Sequence, residues 1–250
     1  SALDGWDNRS TINKKNNIIM IGQSEDKIAK VVSDFSPDIA AISVLFSNLL
    51  ESAHNIAKIV KKVKKSTTVI LGGNHISSAV SDYKISQIDK NSGLPNIIKD
   101  LENNHFDFAM TGEGEFSFLE LTNKLINNQN ITKVPGLVKK IGNKKYLINP
   151  STRINDLNTL PRPARQLVDM EAYFKIGAFH SAKSRSKRVL SVMCSRGCPE
   201  KCTFCSTPQM WGNNTRWRTT EHIMDEIRND VRDFKIGEIQ FDDDTITVNK

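Results

Sequence analysis

Between residues 18 and 142 short apolar runs alternate with stretches in which apolar residues recur every three or four positions. That alternation is the signature of βα units laid around a parallel sheet. Ile18 to Ile21 is the first strand candidate. Glu25 to Phe35 reads as a helix ended by Pro37, and Ile39 to Val44 is a continuous apolar run of the kind buried on both faces of a sheet. Leu49, Leu50, Ala53, Ile56, Ala57, Val60 and Val63 then form one wide apolar helix face. Thr68 to Leu71 is a short strand whose end is marked by Gly72 and Gly73. From Asn74 to His105 the pattern is less regular, and only a helix near Asn96 to Glu102 is expected. Phe106 to Met110 resumes as a strand, the polar turn Thr111 to Glu115 follows, and Phe118, Leu119, Thr122, Leu125 and Ile126 outline another helix. Leu137 to Ile141 and Tyr146 to Ile148, flanking Gly142 and Asn143, read as a β-hairpin.

From Pro150 to Lys187 the periodicity loosens, and this stretch is expected to be a linker. A second unit opens with a strand at Arg188 to Met193, followed by a cysteine-rich loop, a helix from about Thr220 to Phe234 and a strand at Glu238 to Phe241. Thr219 or Thr220 can cap that helix, and Glu221 suits its positive N-terminal end. The expected organisation is an α/β domain over 1–149, a linker over 150–187 and a second domain over 188–250. The chain opens at Ser1 without an initiator Met and stops at Lys250 after a strand-like run, so it reads as a fragment cut at both ends.

Composition narrows the picture. No run of about 18 apolar residues occurs, and the N-terminus lacks the basic-then-apolar order of a secretory signal, so a cytoplasmic protein is expected. The formal charge of +7 comes partly from Lys61, Lys62, Lys64 and Lys65 and from Lys183, Arg185, Lys187 and Arg188. Neither cluster interleaves with aromatic residues that could stack bases, so solvated faces are expected rather than a nucleic-acid footprint. All four cysteines fall between Cys194 and Cys205. That is too tight for a disulfide framework and points to a metal or cluster site.

The last three cysteines, Cys198, Cys202 and Cys205, have the spacing C-x3-C-x2-C. Three thiolates from one loop can hold three irons of a cubane 4Fe-4S cluster and leave the fourth free. The alternative is a zinc site using all four cysteines, although zinc more often pairs two C-x2-C knuckles or mixes in His. Phe204 just before the third cysteine and the string Arg196-Gly197-Cys198-Pro199 complete a pattern that resembles the radical S-adenosylmethionine (SAM) superfamily. The resemblance implies that the free iron binds the amino and carboxylate groups of SAM, whose reductive cleavage yields a 5′-deoxyadenosyl radical. It also implies the start of a TIM-like partial barrel. Cys194 lies outside the pattern and is expected to be a small buried bystander. Phe241-Asp242-Asp243-Asp244-Thr245-Ile246-Thr247 resembles the family's F-x-D-D-x-F-T string, with Ile246 replacing the aromatic. Asp243 and Asp244 are therefore expected to face SAM, with a solvated acidic turn as the alternative.

The first unit carries a second resemblance. Ser43-Val44-Leu45 and Gly72-Gly73, twenty-six residues apart, look like the S-x-L and G-G elements of cobalamin-binding domains, which are flavodoxin-like α/β folds. A hydroxyl at a strand's end can hydrogen-bond the cofactor's buried tail, and glycines let a bulky ring approach the backbone. Gly112, Glu113 and Gly114 end a third strand and join the expected cofactor contacts. Ordinary βα turns and a satisfied core hydroxyl are the bland alternatives. Val134-Pro135-Gly136-Leu137 and Leu160-Pro161-Arg162-Pro163-Ala164-Arg165 match the segments that join the two domains in cobalamin-dependent radical SAM proteins. The string D-x-H-x-x-G, which supplies a cobalt ligand in some cobalamin domains, does not occur, and His75 is expected to be a surface or tail-contacting residue.

Together these resemblances imply an enzyme using a 4Fe-4S cluster, SAM and cobalamin, most plausibly to methylate an unactivated carbon of a small-molecule or lipid-like substrate. Radical rearrangement or cyclisation uses similar parts. An electron donor such as flavodoxin or ferredoxin is implied, and a barrel with two strands is expected to be inactive alone. The alternatives are a methylthiotransferase, whose N-terminal cysteines this chain lacks, and a metal-binding module without turnover.

Overall fold

The computed structural model describes residues 10–15, 18–88, 105–142, 145–176 and 184–248. They divide into two units, one built on residues 29–154 and one on residues 155–208 and 212–250 with the described residues up to Ile28.

Ser10–Lys15 (β1) and Ile18–Gly22 (β2) pair antiparallel as a separate two-stranded ribbon. The Ile18 run is thus a strand, as its β-branched residues require, but it belongs to this ribbon and not to the main sheet. A run of four apolar residues specifies a strand and says nothing of its partner. Helix α1 (Glu25–Phe35) follows; the Ser24 hydroxyl accepts from the Lys27 N–H (3.3 Å) at its start, and Pro37 lies just past its end.

The first unit is a five-stranded sheet in the order β3 (Ile39–Ser43), β4 (Thr68–Gly72), β5 (Phe108–Met110), β6 (Leu137–Gly142) and β7 (Lys145–Ile148). The three leading strands run parallel, and the β6–β7 hairpin joins β5 antiparallel. Strand alternation sends neighbouring residues to opposite faces. Leu71, Ala109 and Val138 pack with Ala53 of α2 (Leu50–Val63) and with Ile76 and Val80 of α3 (Asn74–Ile88). Ile70, Met110 and Leu137 pack on the other face with Leu121 of α4 (Gly114–Ile126). Val69, Ile70 and Leu71 of β4 are buried, as a central parallel strand demands. In β3, by contrast, Ala41 and Ser43 are exposed, and among the described residues no strand pairs with its other side. The expectation that Ile39–Val44 is covered on both faces is therefore corrected.

Helix α3 was not legible in the periodicity: its buried residues His75, Ile76, Ala79 and Val80 keep helical spacing, but Ser77, Ser78 and Ser81 dilute the pattern. The helix expected near Asn96 to Glu102 lies outside the described residues. Two lysines of the basic cluster brace the sheet's amino end. Lys61 reaches Asp107 (2.6 Å) and the Thr67 carbonyl (2.7 Å), and Lys64 reaches Asp38 and the Ser36 carbonyl (2.9 Å each).

In the second unit β8 (Val189–Val192) pairs parallel with β11 (Glu238–Phe241), connected through α7 (Thr220–Phe234). Thr219 is the cap, its hydroxyl accepting from the His222 N–H. Between them lie β9 (Ser195–Arg196), paired antiparallel with β10 (Arg216–Trp217), and the short helix α6 (Thr207–Trp211). The expected linker is not a bare connector. Met170 and Phe174 of α5 (Met170–Ile176) form a core with Ile236, Leu190 and Ile239. Arg188, from the second basic cluster, donates to the Phe234 carbonyl (Nη2, 2.6 Å), pairs with Glu171 (Nη2, 2.8 Å) and lies 4.3 Å from the Phe174 ring centroid. It thereby satisfies a helix C-terminus with a cation.

Candidate functional site

Ser43 and Gly72 are cross-strand partners at the carboxyl ends of β3 and β4. The neighbouring β5 ends at Met110, so Thr111 and Gly112 lie at the same sheet end. This is where open parallel sheets place ligands. Gly73 has φ +102°, and a Cβ there would stand 2.5 Å from the Val44 carbonyl oxygen, so only glycine fits. At Gly72 the nearest atom to an added Cβ is the Met110 carbonyl oxygen at 3.9 Å, so its lack of a side chain leaves open room. Ser43, Leu45, Phe46 and Leu49 are exposed beside it. An open cradle, a hydroxyl and an apolar rim fit a large cofactor that is part ring, part polar tail.

Three further residues shape this end. Ser77 accepts from the Gly112 N–H at 3.0 Å, and its own N–H reaches the Gly73 carbonyl at 3.2 Å, linking two of the loops. Ser47 Oγ lies 3.0 Å from Nδ1 of His75, and His75 is only 8% exposed. His75 is therefore not a surface residue. Sequence reading passed over Ser47 and Ser77, for isolated serines carry no pattern. Glu113 is also buried: its Oε2 accepts from the Ile154 N–H (3.2 Å), while Gly112 at φ +79° approaches Ser151. Gly114 opens α4 with open space around it. Val134-Pro135-Gly136-Leu137, expected as a joint between domains, lies within this unit. Val134 and Leu137 are fully buried, and the Gly136 carbonyl accepts from the Thr111 N–H at 2.9 Å.

The cysteine loop leaves the carboxyl end of β8. Gly197 (φ +100°) brings the chain against the Asn214 carbonyl, where a Cβ would stand 2.5 Å from that oxygen, and the Cys198 N–H donates to the Gly212 carbonyl at 3.2 Å. The Cys205 N–H closes the loop onto the Cys202 carbonyl at 3.1 Å. All four cysteines are free thiols: Cys202 is exposed, Cys198 and Cys205 are half-buried, and Cys194 is 5% exposed. Burial, aided by the negative charge of Asp243, pushes the Cys194 thiol from 9.0 up to about 11. Three accessible thiols and one withdrawn, protonated thiol make a three-donor set.

Among the described residues no three His, Cys, Asp or Glu side chains are gathered closely enough for one metal ion. A zinc ion draws all four donors to about 2.0–2.3 Å of a single point. A cubane cluster gives each thiolate its own iron and so spaces them more widely. With Cys194 withdrawn, the loop offers three thiols, the number a cubane cluster takes when its fourth iron is left free. Cys198 Sγ also lies 3.3 Å from the Thr245 hydroxyl.

The paired aspartates have structural partners. Both carboxylate oxygens of Asp243 accept from the Cys194 N–H at 3.1 Å, and Oδ1 also accepts from the Ser195 hydroxyl. Asp244 accepts from the Thr207 hydroxyl at 2.9 Å. Neither forms a merely solvated acidic turn. Phe204 is 91% exposed at the tip of the loop.

A strand leading into a loop with three accessible thiols, followed by a helix and a parallel strand ending in aspartates, is the βαβ arrangement expected of the opening of a radical SAM barrel. No protein-family profile matches the chain. It is 28% identical to cytidylyl-2-hydroxyethylphosphonate methyltransferase of Streptomyces wedmorensis, over 98% of this chain and 46% of that protein. It is 30% identical to an uncharacterized methyltransferase of Pyrococcus horikoshii, over 93% of this chain and 46% of that one. Among solved structures it resembles the radical SAM methyltransferase TsrM of Kitasatospora setae, determined with cobalamin and a 4Fe-4S cluster bound. The TM-score is 0.60 and the identity 14%, over 88% of this chain and 40% of that one. The chain spans less than half the length of each of these proteins. Its homologues include a cobalamin-dependent radical SAM methyltransferase of Streptomyces tokunonensis, 27% identical over 82% of this chain and 28% of that protein.

Proposed function

We propose that this chain is the cofactor-binding part of an enzyme that methylates an unactivated carbon, with a 4Fe-4S cluster on Cys198, Cys202 and Cys205, SAM beside it, and cobalamin on the first unit. When bound, these groups supply a radical able to remove a hydrogen atom and a methyl group to replace it. The residues of the chain hold and orient them. The backbone at Gly72–Gly73, the Ser43 hydroxyl and the Leu45 side chain receive cobalamin, with the Gly112–Gly114 turn at the same sheet end. Phe204 and the Asp243–Asp244 pair belong to the SAM side of the loop. The substrate is a small molecule, and an electron donor of the flavodoxin or ferredoxin type serves the cluster. Among the described residues no helix is long and apolar enough to cross a membrane.

The observation that carries this reading is the split among the cysteines: three thiols lie on the loop and Cys194 is withdrawn with its proton. A fourth thiolate would take the iron that SAM needs. Anaerobic reconstitution with iron and sulfide analysis tests it, and Cys202→Ala is expected to abolish the cluster. Fewer than three irons per chain, or a Cys202→Ala variant that keeps its cluster, refutes the cluster assignment. A cobalamin titration of the same protein tests the second cofactor separately.

A further inference from the structure

In β8 the Arg188 and Val192 carbonyls accept from the Gly237 and Asp242 N–H groups at 3.0 Å, so the even-numbered carbonyls face β11. The carbonyls of Ser191 and Met193 point to the opposite edge, where among the described residues no strand pairs. Unpaired strand carbonyls are costly when buried and inviting to other strands when exposed. Here two guanidinium groups take them. Arg165 Nη2 donates to the Ser191 carbonyl at 3.1 Å, and Arg218 Nη1 donates to the Met193 carbonyl at 3.0 Å.

One carboxylate holds both arginines. Glu226, 1% exposed, lies with Oε1 3.0 Å from Arg165 Nη1 and Oε2 2.6 Å from Arg218 Nη2. Asp230, 4% exposed, adds a second contact to Arg165 at 3.0 Å. Alternate strand residues repeat about every 6.6 Å, a distance that two forks on one carboxylate can match. Past Met193 the clamp continues: the Arg218 N–H reaches the Cys194 carbonyl at 2.9 Å, and Asp243 holds the Cys194 N–H. The Ser191 and Met193 carbonyls and the Cys194 N–H are thus each held by a charged side chain. Buried ion pairs add little net stability over apolar packing of the same volume, so the burial of this one is accounted for by what it positions.

We propose that Arg165, Glu226 and Arg218 are positioning residues for the cluster loop: they close the open edge of β8 and set the register from which Cys198 is presented. Arg165 ends the Leu160–Arg165 string, so that string's role is to deliver this guanidinium. The proposal rests on the cluster reading above, and its test separates the two. Arg165→Lys, Glu226→Gln and Arg218→Lys are compared with the unmodified protein in cluster-free and reconstituted forms. Hydrogen exchange over residues 191–198 is read in the first form. Iron loss to a chelator and the electron paramagnetic resonance of the reduced cluster are read in the second. In Glu226→Gln, exchange at the Cys194 and Cys198 N–H groups and iron loss are expected to be about tenfold faster, with an altered resonance. Arg165→Lys should fall between, since an ammonium cannot fork across two partners. Unchanged exchange and iron loss in all three variants overturn the proposal. So does loss of protection spread evenly over residues 189–241, which would assign the cluster of charges to general stability. If the unmodified protein takes up no cluster, the cluster reading fails, and exchange over 191–198 alone decides the clamp.

Discussion

The glycine loop after β4 and the cysteine loop after β8 both leave a parallel strand through a glycine near φ +100°, and at each an added Cβ would stand 2.5 Å from a carbonyl oxygen. They are braced in opposite ways. Around Gly73 the partners are neutral: the His75 N–H on the Val44 carbonyl and the Ser77 N–H on the Gly73 carbonyl. Where the chain enters the cysteine loop they are charged: Asp243 on the Cys194 N–H, and Arg218 and Arg165 on the carbonyls before it. Beside these neutral bonds Ser43, Leu45 and Phe46 are exposed. Charge-assisted bonds are about twice as strong as neutral ones, and they stiffen a strand that leads to the proposed cluster ligands.

The contrast can be broken at several points. The largest effect is expected at the shared glycines: Gly197→Ala and Gly73→Ala each lose about 3 kcal/mol or more of the stability of their own unit in urea unfolding, from strain at positive φ plus the backbone clash. Gly72→Ala sharpens the comparison, because the structure leaves room for its methyl. Its stability should stay within about 1 kcal/mol, while cobalamin affinity falls about tenfold, or about 1.4 kcal/mol, in a titration. Equal losses of stability at Gly72 and Gly73 would show that the cradle is only a turn.

The smallest effect belongs to Cys194. In cluster-free protein at pH 8, alkylation followed by peptide mass analysis should label Cys198, Cys202 and Cys205 and spare Cys194. Because its folded value is raised to about 11 from 9.0, the native state favours the thiol. That contribution is fully present below pH 9 and is lost as pH rises toward 11. Cys194→Ala should flatten this part of the stability profile and leave iron content unchanged.

Much of the fold was legible. Glu25–Phe35 and Thr220–Phe234 carry helical periodicity and end signals, and the observed helices have those bounds. Thr68 to Leu71 stood out as a β-branched run and became the buried central strand. What the pattern missed depends on partners far along the chain. Ile18 to Ile21 was recognised as a strand, yet its pairing with β1 is a choice among edges that four residues do not encode. The stretch after Pro150 was read as a linker because its apolar residues Val168, Met170 and Phe174 show no long period. They pack with residues around 190 and 236. Asp243 and Asp244 were singled out by their string, but the partners the structure gives them, Cys194, Ser195 and Thr207, lie 37 to 49 residues away.

Local order along the chain was enough to determine the three-thiol loop, the glycines that no side chain can replace, the caps and apolar faces of the main helices and the parallel core of the first sheet. Each of these depends on residues a few positions apart, where chelate spacing, φ and helical period act directly. The burial of Cys194 was already expected from its place outside the pattern; tertiary structure alone decided that Ala41 and Ser43 of β3 stay exposed and that Arg165, Glu226 and Arg218 meet beside β8. Arg165 stands 53 residues before Arg218 and 61 before Glu226 in sequence. Burial and charge pairing are properties of the assembled volume, so no local pattern carries them.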